Sequence, residues 1–153
     1  MATWQFDIWF AEPIAKIGNG YTQEKASLLN LSLSSDSIIQ FIGDLPFEKS
    51  WNADLEIRGT MEGDRINIIY ENGSVAEISV RIDVREIDLN FLVRIVQFSK
   101  INRLLLVIAT TREVIESDIE MLIGAIESSL AFKFVSNPHD FIRKIKDQRK
   151  RLV

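Results

Sequence analysis

The side chains with most chemistry to offer lie in alternating stretches through the middle of the chain. Asp54, Glu56, Arg65, Glu77, Arg81, Asp83 and Arg85 are interleaved with apolar residues. If these stretches pair as neighbouring strands, the charges are expected to project from one face of a sheet. Carboxylates fixed side by side can hold Mg²⁺ for phosphodiester chemistry. The same acids without a metal can steer a basic protein onto the face. Mixed signs on a strand face also have a plain reading, in which they pair across strands and solvate the sheet. Asp54, Glu56, Glu77, Arg81, Asp83 and Arg85 are therefore the partner-binding candidates.

Other chemistries are excluded or poorly supplied. The chain has no Cys, which removes disulfide scaffolds, thiolate zinc, iron–sulfur clusters and a Cys nucleophile. Its one His, His139, cannot build a multi-imidazole site. A metal, if used, would sit among oxygens. Glu56-Ile57-Arg58 resembles the Glu-x-Lys element of metal-dependent nucleases, with Arg in place of Lys and no partner motif. His139 follows a Pro that opens a helix, where a polar side chain points to water. No Gly-x-Ser-x-Gly elbow occurs, and Gly18-Asn19-Gly20 lacks the third Gly of a dinucleotide loop. The sequence therefore nominates no catalytic residue, no metal ligand and no cofactor.

Charge narrows the partners. The net charge is −4, yet residues 137–153 hold six Lys or Arg against two Asp. Arg143, Lys144, Lys146, Arg149, Lys150 and Arg151 could touch phosphate, but cations near a helix C-terminus also offset the helix dipole with no partner. An acidic body with a short basic end poorly suits nucleic acid, which needs a broad basic face. The start of the chain lacks a basic segment followed by an apolar run, and Leu104–Ala109 is too short to span a bilayer. The expectation is a cytoplasmic protein with no membrane partner.

The elements that must position these residues can be read from periodicity. The 153 residues suit a single domain, 1–153, with its own core. Trp4, Phe6, Ile8 and Phe10 alternate with Thr3, Gln5, Asp7 and Trp9, as in a half-buried strand. Gly18–Gly20 reads as a turn, and Leu29, Leu31 and Leu33 suggest a strand. Ser37-Ile38-Ile39-Gln40 has a capping-box pattern for a helix ending near Gly43. Leu55 and Ile57, then Ile66, Ile68 and Tyr70, then Ala76, Ile78, Val80, Ile82 and Val84 mark three strands of a meander. Asn72-Gly73 turns the second hairpin.

Asp88 can cap a helix to about Asn102, and Leu104–Ala109 reads as a strand covered on both faces. Ser117-Asp118-Ile119-Glu120 opens a helix with a stripe of Ile119, Leu122, Ile123, Ile126 and Leu130. Phe132–Val135 is a short extended piece. Asn137-Pro138 opens a basic last helix at about 138–150, buried through Phe141, Ile142 and Ile145. The fold class is α+β: a mainly antiparallel sheet of five to six strands with helices packed on one face. The expected core includes Ile57, Ile68, Ile78, Val80, Leu105, Val107, Leu122 and Ile126.

The stretch Ile66–Arg85, with the later run Leu104–Val107 and Val114-Ile115-Glu116, resembles small bacterial α+β proteins, some of them immunity partners of polymorphic toxins. The missing catalytic motifs and the acidic, charged sheet face point to a non-catalytic protein-binding module with a basic protein partner, and the resemblance implies that this partner is a toxin it neutralises, or else that the chain is an accessory subunit. Two alternatives stand beside it. One is a divalent-metal hydrolase or nuclease using sheet-face carboxylates. The other is a homo-oligomeric structural protein pairing through a sheet edge or aromatic surface.

Overall fold

The structure is a computed structural model describing residues 4–13, 33, 35–133, 135 and 138–152. Seven strands form one antiparallel sheet: β1 (Gln5–Ala11), β2 (Phe47–Glu48), β3 (Leu55–Gly59), β4 (Arg65–Glu71), β5 (Ser74–Asp83), β6 (Leu105–Ile108) and β7 (Val114–Ile115). Their order is β2-β3-β4-β5-β1-β6-β7. The described helices are α1 (Ser35–Ile42), α2 (Leu89–Ile101), α3 (Ile119–Glu127), α4 (Leu130–Lys133) and α5 (Pro138–Leu152). The fold is α+β, as expected. The sheet exceeds the expected strand count because the two-residue strands β2 and β7 are too short to show a period.

Central β1 pairs with β5 on one side and β6 on the other. Paired antiparallel residues share a face, so the register collects the apolar side chains. Ile8 opposes both Val80 and Ile108, Phe6 opposes Ile82, Phe10 opposes Leu106, and Ile78 opposes Ile68. All of these are buried, in one cluster with Leu92 and Ile95 of α2 and Leu122, Ile123 and Ile126 of α3. The aromatic centre joins three elements. Phe10 meets Phe41 and Phe98 edge-on, and those two rings stack 4.4 Å apart.

Turn and cap chemistry explains several boundaries. Asn72 and Gly73 have φ of 53° and 78°, as a two-residue hairpin turn requires. Asp88 caps α2, its carboxylate accepting from Asn90 N at 2.9 Å. The cap of α3 is Asp118 instead of Ser117, and it accepts from Glu120 N and Met121 N. Ser117 is occupied elsewhere: its hydroxyl donates to Leu104 O at 2.8 Å and meets Ser99. Helix α1 starts two residues before Ser37. Arg94 donates to the carbonyls of Phe41 and Ile42 and so closes its C-terminus.

Four expectations need correction. Phe132 and Lys133 belong to a short helix instead of an extended piece, and Phe132 N is held by the Ser129 hydroxyl at 3.2 Å. Leu130 leaves the α3 stripe because that helix ends at Glu127, and it stands exposed. Val75, not Ala76, is buried: a bulge puts Tyr70 opposite Val75 and Ile69 opposite Glu77, leaving Ala76 unpaired. Leu105 is half-exposed, Ile57 is buried but outside the core cluster, and the other six expected core residues are buried in it. The turn at 18–20, the strand suggested at Leu29 and Leu31, the Asn137 cap and the side chains of Phe141 and Ile145 lie outside the described residues. Ile142 is buried.

Candidate partner-binding surface

The charges expected on one face are divided between two. Gly59 pairs with Arg65 across the turn at 60–64, which sets Ile57 opposite Asn67 and Glu56 opposite Ile68. Glu56 and Arg58 therefore share the side of the core residues Ile66 and Ile68, near the β2 edge. Arg65, Glu77, Arg81 and Asp83 take the other side, with Asp7 and Trp9 from β1. The common-face expectation fails at Glu56 because alternation within a strand does not fix which face meets the helices. Asp54 lies on neither face, exposed in the turn before β3, where its backbone N donates to Asn52 Oδ1 at 2.9 Å.

On the second face, charge is largely satisfied within the chain. Arg81 makes a two-pronged contact with Asp7, at 2.9 and 3.0 Å. This hydrogen bond holds the Arg81 guanidinium above its ordinary pKa. Arg65 sits directly across from Arg81, and desolvation, then that neighbouring cation, pushes it below its ordinary value. Asp83 is buried and binds Arg85, which also stacks on Trp4 with 4.2 Å to the ring centroid. These contacts suit a structural role better than a partner's landing site.

At the β2–β3 edge the arrangement is different. Arg58 Nε donates to Glu56 Oε1 at 2.7 Å, and the Tyr70 hydroxyl donates to Glu56 Oε2 at 2.8 Å. Desolvation, then the hydrogen bond to Glu56, raises Tyr70 to about 12, so the phenol stays protonated and donating. The Arg58 guanidinium lies 5.2 Å from the Phe47 ring centroid. Beyond Phe47, the Ser50 hydroxyl ties the loop down by donating to Leu55 O at 2.6 Å. Trp51 stands out from this loop at 85% exposure, and Phe47 is 65% exposed. Arg58, Tyr70 and the one acid Glu56 thus hold each other in place, with Phe47 against Arg58 and Trp51 bare on the adjoining loop. Sequence reasoning missed this grouping because β2 carries no period. In the sequence, Phe47 and Trp51 stand out only as members of an aromatic surface with Trp9.

The remaining candidates have plain placements. His139 is exposed, its ring 6.1 Å from that of Phe132. The basic last helix is tied to α3 by Lys146–Glu127, at 3.1 Å, and Arg149–Glu120. Among the described residues, no group of three or more His, Cys, Asp or Glu is placed to hold a metal ion. Among them, no helix is long and apolar enough to cross a membrane. Comparison with protein-family models, curated proteins and solved structures found no match.

Proposed function

We propose that the chain is a non-catalytic protein-binding module and that it meets its partner through the β2–β3 edge. The observation that carries this reading is the exposed pair Phe47 and Trp51 beside the locked Glu56–Arg58–Tyr70 group. Trp, Tyr and Arg dominate the binding energy of protein interfaces, above all where they are already ordered. Glu48, Asp54 and Glu56 against Lys49 and Arg58 leave the edge a small acidic excess, which favours a basic partner. A bacterial toxin neutralised in the cytoplasm is the partner that the resemblance to immunity proteins suggests.

The double variant Phe47→Ala, Trp51→Ala tests this reading. Its stability should stay within about 0.5 kcal/mol per site, because both side chains are exposed. Its capture of a partner from the source organism's lysate should fall at least about tenfold, the loss of one modest hot spot. Full capture by the double variant would remove the edge from the interface. The Glu77→Lys variant serves as the control for the opposite face and should capture normally.

A further inference from the structure

At the other end of the sheet, a cleft of about 780 Å³ opens between the apolar face and the helices α3 and α4. Its floor is Phe6, Ile108 and Ile115, all buried, and exposed Met121 and Leu130 stand at its wall. Protein interiors leave few voids larger than a water molecule, whereas small-molecule sites are apolar clefts of roughly 300–1,000 Å³. The wall also contains Gly124, in the interior of α3. A glycine there costs about 1 kcal/mol relative to alanine. No close packing requires it, since a Cβ at Gly124 would meet nothing within 4 Å. Its effect on the molecule is to keep the cleft wide.

The polar groups of this cleft give its ligand a sign. Glu113 and Glu120 line it, and among the described lining residues none is Lys or Arg. Asp7, at its margin, turns its carboxylate to Arg81 on the opposite face of the sheet, and Glu120 is held by Arg149. Glu113 is exposed, with no ion pair among the described residues. We propose that the cleft binds a small amphiphilic amine, its apolar body on the sheet floor and its ammonium group at Glu113. Met121 suits such a site, because an unbranched thioether adapts to varied apolar shapes.

Octylamine, octanol and octanoate share one chain and differ in head-group charge, so they separate apolar binding from charge recognition. Titration calorimetry on the whole chain, below micelle-forming concentrations, should rank octylamine first and octanoate last. Octylamine should bind about fivefold tighter than octanol, as one solvent-facing charge pair allows. Glu113→Gln should bring octylamine to the level of octanol. Gly124→Leu should abolish binding of all three while melting at or above the wild-type temperature. Methyl NMR of the wild type should place octylamine shifts on Met121, Ile108 and Ile115, which keeps the test decisive if the Leu variant misfolds. The proposal is overturned by absence of binding, by octanoate binding as well as octylamine, by unchanged binding in Gly124→Leu, or by shifts confined elsewhere. Binding of an oligolysine peptide without octylamine binding would also overturn it, in favour of a peptide groove.

Discussion

Phe10→Ala is expected to lower the unfolding free energy by about 3–5 kcal/mol. Phe10 is fully buried on central β1 and touches Phe41 of α1 and Phe98 of α2. Truncation removes the apolar area of the ring, leaves a cavity where three elements converge, and breaks two edge-on aromatic contacts. The stacked pair Phe41–Phe98 cannot close the gap without moving a helix against the sheet. A urea melt reads the loss as a lower midpoint at similar slope. Trp51→Ala is the comparison, and it should change the midpoint little. Equal losses for the two variants would mean that the aromatic centre is misplaced.

A second large effect is a dependence on pH. Asp64 accepts from Asp83 N at 2.9 Å, yet burial raises its carboxyl from 3.8 to about 6. The hydrogen bond opposes that rise, and the nearby acids Asp88, Asp83 and Glu86 add to it. The folded chain thus binds this proton more tightly than the unfolded chain does. The resulting stabilisation is fully present below pH 3.8 and is lost as pH rises through about 6. Asp64→Asn keeps an oxygen for Asp83 N and removes the charge. Relative to the wild type, the variant should therefore gain on the order of 2 kcal/mol between pH 4 and pH 7.5. Denaturant melts of both proteins at the two pH values measure this difference. A difference that does not change with pH would show that Asp64 titrates normally.

These residues also show what a sequence can and cannot reveal. The period-two stretches on β1, β4 and β5 identify strands, and Asn72-Gly73 identifies their hairpin, because both signals are local. Asp88 is legible as a cap for the same reason. Which face β3 turns to the helices is decided by the turn at 60–64. A turn one residue longer or shorter would exchange Glu56 for Ile57 on the core side. That parity separated Glu56 from Glu77 and Arg81. The contacts Asp7–Arg81 and Tyr70–Glu56 join residues far apart in the chain and depend on strand order, so no local pattern announces them. The two-residue strand β2, which brings Phe47 beside Arg58, is too short for any periodic signal.

Whether the β2–β3 edge is the partner's landing site is read by site-specific photocrosslinking, with p-benzoylphenylalanine replacing Trp51 in one protein and Glu77 in another. Each protein would be irradiated in the source organism's cells, and the adducts identified by mass spectrometry. The β2–β3 edge predicts that position 51 crosslinks to one basic protein and that position 77 does not. Adducts from position 77 alone would contradict it and return the interface to the opposite face. Adducts between two copies of this chain at position 51 would contradict it as well, and would make the edge a contact of a homo-oligomer.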